Sequence, residues 1–157
     1  MTRISWEEYA LELAEVASKR SEDPFLRVGA VALREDNSVI SLGFNGAPPG
    51  KTIDWSNRDE RRKRVCHAEL ACLRYCIPGE VKLLAVTLCP CSECIKQIAM
   101  YKISRVVFRD YYDKDDFAPK LAKEFGIELI QINNFITQPQ KETLDSAPYY
   151  EFELNYN

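Results

Sequence analysis

The chain has 157 residues, 46% of them apolar, which suits one soluble domain able to bury its own core and leaves no need for a second. A net charge of −3 and a sequence pI near 5.3 weigh against a protein that wraps long nucleic acid, while leaving room for a small anionic ligand. No segment has the apolar length to cross a bilayer, and the start Met1-Thr2-Arg3-Ile4-Ser5 shows no apolar run behind a basic region, so a cytoplasmic protein is expected and its six cysteines read as reduced thiols or metal ligands.

Ser5 followed by Glu8 is a capping-box pattern, and Trp6, Ala10, Leu13, Ala14 and Ala17 recur at helical spacing, which predicts a first helix. Pro24 closes the polar run from Lys19, and Val28-Gly29-Ala30-Val31-Ala32-Leu33 then reads as a buried strand. Asp36-Asn37-Ser38 turns the chain into a second strand, Val39 to Phe44, antiparallel to the first because the connection is too short for a crossover. Asn45-Gly46-Ala47-Pro48-Pro49-Gly50 ends it, a polar stretch runs to Arg64, and a helical pattern holds from Val65 to about Cys76 before Pro78-Gly79.

From there strand and helix alternate. Leu83 to Leu88, a helix from about Cys91 to Tyr101, Val106 to Phe108, a helix from about Phe117 to Phe125, and Ile127 to Ile132 predict an α/β sheet covered on both faces, its later strands parallel. The tail from Asn133 is expected to pack on the surface, dock on a neighbouring subunit or fray. One domain over 1–157, with a core of about 4–132, accounts for the whole pattern.

The only histidine, His67, opens His67-Ala68-Glu69, and Pro90-Cys91-Ser92-Glu93-Cys94 follows with Cys91 24 positions downstream. One imidazole and two thiolates form a three-ligand zinc set with a fourth position left for water, and Glu69 is the wrong residue type to complete a structural Cys/His tetrad. Cys91 and Cys94 share one face of a first helical turn, where free N–H groups favour thiolate. Zinc brings bound water near neutrality, and Glu69 stands ready to take its proton and pass it on.

Plainer readings exist for each residue. Cys66 or Cys89 could close the metal set into a structural site, but Cys89 sits at a strand end and fits core packing, while Cys66, Cys72 and Cys76 fit a helix facing the core. Arg58-Asp59-Glu60-Arg61-Arg62-Lys63-Arg64 looks like a nucleic-acid patch, yet mixed charges between elements read as a solvated connection. Asn45-Gly46 is by default a turn. Tyr111-Tyr112-Asp113-Lys114 is a loop, but one at the carboxyl end of a parallel strand, where ligands of open α/β sheets bind.

Arg20-Ser21-Glu22-Asp23-Pro24 before Val28-Gly29-Ala30, then Gly43-Phe44-Asn45-Gly46-Ala47-Pro48-Pro49-Gly50, Cys66-His67-Ala68-Glu69-Leu70 and Pro90-Cys91-Ser92-Glu93-Cys94-Ile95-Lys96 resemble deoxycytidylate (dCMP) deaminases. The zinc motif alone is shared across nucleobase deaminases; the other segments narrow the match. The resemblance implies a cytidine-deaminase-like three-layer α/β/α sandwich with a five-stranded mixed sheet, converting dCMP to dUMP and ammonia to supply dTMP synthesis. It implies one catalytic Zn2+ on His67, Cys91 and Cys94, with Glu69 as proton shuttle. Asn45 is expected at the sugar, Tyr112 and Lys114 near base and phosphate, and Ser21 and Arg27 as further nucleotide contacts. A homohexamer is implied, with dCTP, dTTP and Mg2+ as regulators. Ala71 and Lys51 depart from the residues usual in relatives at those positions.

Two other enzymatic readings keep the zinc core: a deaminase of CMP or 5-substituted dCMP, and an editor of a base in tRNA or single-stranded nucleic acid. An inactive nucleotide-binding module is the non-enzymatic reading, which an intact Glu69 weakens. The residues after Cys94 and the acidic pI favour a free nucleotide over nucleic acid.

Overall fold

A computed structural model describes residues 2–133, in which helix α1 spans Trp6–Ser18, followed by β1 (Gly29–Leu33), β2 (Val39–Phe44), α2 (Arg58–Arg62), α3 (Ala68–Leu73), β3 (Leu83–Leu88), α4 (Ser92–Met100), β4 (Arg105–Asp110), α5 (Ala118–Glu124) and β5 (Glu128–Gln131). The expectations for the tail fall outside the described residues, apart from Asn133 itself. The capping box forms as its sequence predicts: Ser5 Oγ accepts from Glu8 N at 3.1 Å, and Glu8 Oε2 accepts from Ser5 N at 2.8 Å.

The strands form one mixed sheet in the order β2-β1-β3-β4-β5. β1 pairs antiparallel with both β2 and β3, while β3, β4 and β5 run parallel, each crossover containing one helix. Period-two alternation sorts the central strands between two cores. Val31, Leu33, Leu83, Ala85 and Val107 pack with Ala10, Leu11 and Ala14 of α1. Ala30, Ala32, Leu84, Val86 and Val106 face the other way, into a core shared with α3, α4 and α5. β1 is buried along its whole length because it has a neighbour on each side and helices on both faces.

Two differences from the sequence reading matter for function. The helical pattern from Val65 begins three residues late, because Cys66 forms an isolated antiparallel bridge with Gly46: Gly46 N donates to Cys66 O at 3.0 Å and Cys66 N to Gly46 O at 2.8 Å. Those bonds hold Cys66 extended, so His67 becomes the N-cap of α3. The stretch 58–62, read as a connection, is the short helix α2, whose start is capped by Asn57 Oδ1 accepting from Asp59 N and Glu60 N, both at 3.1 Å.

Helix α3 lies directly on β2. A Cβ built on Gly43 would stand 2.4 Å from Cys72 N and 2.6 Å from Ala68 O, and one built on Gly29 would stand 1.8 Å from Ala14 O of α1. Either substitution must push a helix backbone off the sheet, a strain on the order of 1–3 kcal/mol or more. Gly43→Ala and Gly29→Ala are both expected to lower the urea midpoint. Only Gly43→Ala should also speed metal loss to a chelator, because α3 carries His67 and Glu69 while α1 carries no residue of the candidate metal set. Equal chelator kinetics in the two variants would show that the α3 contact does not position the site.

Candidate active site and metal centre

Two helix starts converge at the carboxyl ends of β3 and β4. His67 caps α3 and Cys91 caps α4, both in extended conformation and neither with a side-chain capping bond, so their ligand atoms are left to face each other. His67 Nδ1 lies 3.3 Å from Cys94 Sγ and 3.5 Å from Cys91 Sγ. The three ligand atoms all fall within 4.8 Å of one another, and among the described residues no fourth His, Cys, Asp or Glu joins the group. Tetrahedral bonds of about 2.0 Å to nitrogen and about 2.3 Å to sulfur place such atoms roughly 3.5 Å apart, so the donor set fits zinc with one position open.

The thiols are already differentiated. Hydrogen bonds from Cys94 foremost, and from His67, pull Cys91 down to about 4, whereas Cys94 is held well above the ordinary thiol range by donating to that thiolate and by burial. His67 is raised, chiefly by its bond to Cys91. Cys89, the rival fourth ligand, is buried and pushed up to about 12 by desolvation, which keeps it a neutral thiol.

Glu69, in the first turn of α3, is only 4% exposed. Burial foremost lifts its carboxyl above the usual carboxylate range, with the Cys91 thiolate adding to the effect; its own backbone N–H and His67 oppose it. A carboxyl so placed exchanges protons more readily near neutrality than an exposed one.

His67, Glu69 and Cys91 line a cavity of about 420 Å³ together with Asn45, Tyr112 and Lys114. Ser21 and Arg27 are not part of its lining. Ser21 Oγ donates to Asn45 O at 2.8 Å and accepts from Asp23 N, and the Asn45 amide is committed to Val28 N, Leu26 O and Asp23 Oδ2. Arg27 Nε reaches Asp23 O at 3.4 Å. The Asn45 amide therefore ties the loop before β1 to the loop after β2, while its edge still reaches the cavity.

Sequence reasoning missed two residues. Arg61, buried in the cavity wall, donates from Nη1 to both carboxylate oxygens of Asp23 at 3.1 and 3.0 Å. The N-cap signal of Asn57 with Asp59 and Glu60 behind it could have revealed the helix that carries it. Asp115 replaces the missing side-chain cap of α4: its carboxylate accepts from Ser92 N and Ser92 Oγ, each at 2.7 Å, and from Ala118 N at 3.1 Å at the start of α5. Its position just ahead of Ala118-Pro119 was the available sign.

The family model for the cytidine and deoxycytidylate deaminase zinc-binding region matches residues 4–110. The deoxycytidylate deaminase of Homo sapiens is 31% identical over 153 residues, covering 90% of this chain and 86% of the human protein. ComE operon protein 2 of Bacillus subtilis is 30% identical, covering 84% of this chain and 74% of that protein. Among solved structures, the dCMP deaminase from the cyanophage S-TIM5, in complex with dCMP and dUMP, shares the fold with a TM-score of 0.69 at 23% identity, covering 84% of this chain and 100% of the phage chain.

The Asp115 cap generates a pH-dependent expectation. The Ser92 N–H foremost holds Asp115 below its ordinary 3.8, so the stability it contributes is present above that value and is lost as pH falls through the lowered one. Asp115→Ala is expected to cost about 1 kcal/mol at pH 7, as removal of a helix cap does. In urea titrations the gap between wild type and variant should narrow as the pH drops below 3.8. A gap that stays constant into acid would mean the carboxylate is not the group that caps α4.

Proposed function

We propose that this chain, which belongs to the family of cytidine and deoxycytidylate deaminases, hydrolyses the 4-amino group of dCMP to give dUMP and ammonia, supplying dUMP for dTMP synthesis. The observation that carries the reading is a buried carboxyl, Glu69, two residues from the histidine of an open His67/Cys91/Cys94 set and lining the same cavity. When bound there, zinc supplies Lewis-acid activation of a water molecule near neutral pH. Glu69 would take one proton of the attacking water and give it to the ring nitrogen beside the attacked carbon, then take the second proton from the hydroxyl left on that carbon and give it to the departing amine, so that water and dCMP become dUMP and ammonia. Burial of Glu69 keeps bulk water from competing for that proton.

The free nucleotide is preferred to tRNA or single-stranded nucleic acid because the chain is net acidic and Arg58, Arg61, Arg62 and Lys114 share the lining of one cavity. CMP and 5-substituted dCMP carry the same 4-amino group and 5′-phosphate and are the alternative substrates. From the resemblance to deoxycytidylate deaminases we further infer a single catalytic domain with its core over about 4–132, a cytoplasmic homohexamer, and regulation by dCTP and dTTP with Mg2+. Tyr112 and Lys114 flank the nucleotide, and Asn45 lies at the sugar.

Purified protein should carry one zinc per chain and release ammonia from dCMP. Glu69→Gln is expected to keep its zinc and lose about 100- to 10,000-fold in kcat, the range for a lost proton shuttle. Cys94→Ser should lose the metal itself, as measured by elemental analysis. Ammonia released from RNA alone, among RNA, cytidine, CMP and dCMP, would overturn the nucleotide reading.

A further inference from the structure

Helix α2 divides its charges by direction. Lys63 and Arg64, beyond its end, pair with Glu60 at 3.0 and 2.7 Å. Arg58, Arg61 and Arg62 instead line the cavity that holds His67 and Glu69. Neither Arg58 nor Arg62 has an ion-pair partner among the described residues. With Lys114, four cations face Asp23 and Glu69 across the lining of a cavity in a chain whose net charge is −3.

Arg61 is the fixed member. It is 7% exposed, its guanidinium carbon lies 4.3 Å from the centre of the Phe25 ring, and Asp23 engages it through Nη1 alone. Its Nε is buried with no hydrogen-bond partner. A buried guanidinium N–H without an acceptor is costly, and the fork of an arginine matches the paired oxygens of a phosphate. Ser21 and Asn45 cannot take that part without giving up bonds to their own backbone.

We propose that Arg58, Arg61 and Arg62 form the subsite for the 5′-phosphate, Arg61 presenting an oriented guanidinium and its two neighbours the surrounding positive charge, so that α2 selects nucleoside monophosphates over nucleosides. The inference rests on the deaminase reading for the base, while the anion is read from the arginines themselves.

Binding of the unreactive pair dUMP and deoxyuridine, followed by calorimetry on the zinc-loaded protein, tests it without turnover. Wild type is expected to bind dUMP at least tenfold more tightly than deoxyuridine. Arg58→Gln/Arg62→Gln, on an exposed face and expected to fold, should cut that advantage by about tenfold. Arg61→Lys keeps a charge beside Asp23 and should cut it as well, at a melting temperature close to wild type. A dUMP advantage that is absent in wild type or unchanged in both variants overturns the subsite, as does equal weakening of both ligands. If the advantage depends on the arginines but no cytosine nucleotide is deaminated, the subsite stands and the deaminase reading falls.

Discussion

The site depends on where two helices begin. A residue at an N-cap position has extended backbone and normally spends its side chain on the helix's own N–H groups. His67 and Cys91 occupy that position in α3 and α4 without doing so, and their side chains meet instead. A start shifted by one residue would rotate each ligand by about 100° around its helix and separate the set. The bridge between Gly46 and Cys66 fixes the first start, the Asp115 carboxylate stabilises the second, and Gly43 lets α3 settle against β2 closely enough for the two to meet.

This placement has an electrostatic consequence. Before metal binds, a single thiolate is shared: Cys91 gives up its proton easily because Cys94 keeps its own and donates it. An ion held there would take the place of the proton that Cys94 donates. Glu69 sits beside this arrangement in a desolvated position, and its carboxyl is sensitive to each change of charge on the neighbouring sulfur. The same closeness would couple Glu69 to an ion held by His67, Cys91 and Cys94.

The readable and unreadable parts of the sequence separate by interaction range. The capping box at Ser5, the buried runs of β1 and β3 and the turn at Asp36 are local, and each appears in the structure where the pattern places it, whereas α3 ends at Leu73, short of the stop expected at Pro78-Gly79. The cysteine pair and His67 were legible because ligand chemistry restricts both residue type and spacing, and the fold brings them together. What the pattern hid were long-range bonds. Nothing near Val65 announces that Cys66 pairs with Gly46, so a helical period was extended through an extended segment. Nothing in 58–64 distinguishes a solvated charge run from a helix whose Arg61 meets Asp23 38 residues earlier. The resemblance places Ser21 and Asn45 at the substrate, and folding adds backbone partners for both that the sequence does not show, Asn45 still lining the cavity.

Asp23 is a centre for several further long-range bonds. Its Oδ1 accepts from Phe25 N at 2.8 Å and Leu26 N at 3.2 Å, its Oδ2 from Asn45 Nδ2 at 3.4 Å, and both oxygens from Arg61. A buried ion pair of this kind adds little net stability, because desolvation offsets most of the attraction. Its effect is on geometry. One carboxylate joins the loop before β1, the loop after β2 and α2, three segments with no shared secondary structure, and it holds the Arg61 fork at a set angle in the cavity wall. An apolar replacement could fill the same volume but would leave α2 free to turn its arginines toward solvent. The buried charge is therefore better explained by orientation than by stability, and a guanidinium held this way meets an incoming anion without first giving up side-chain freedom.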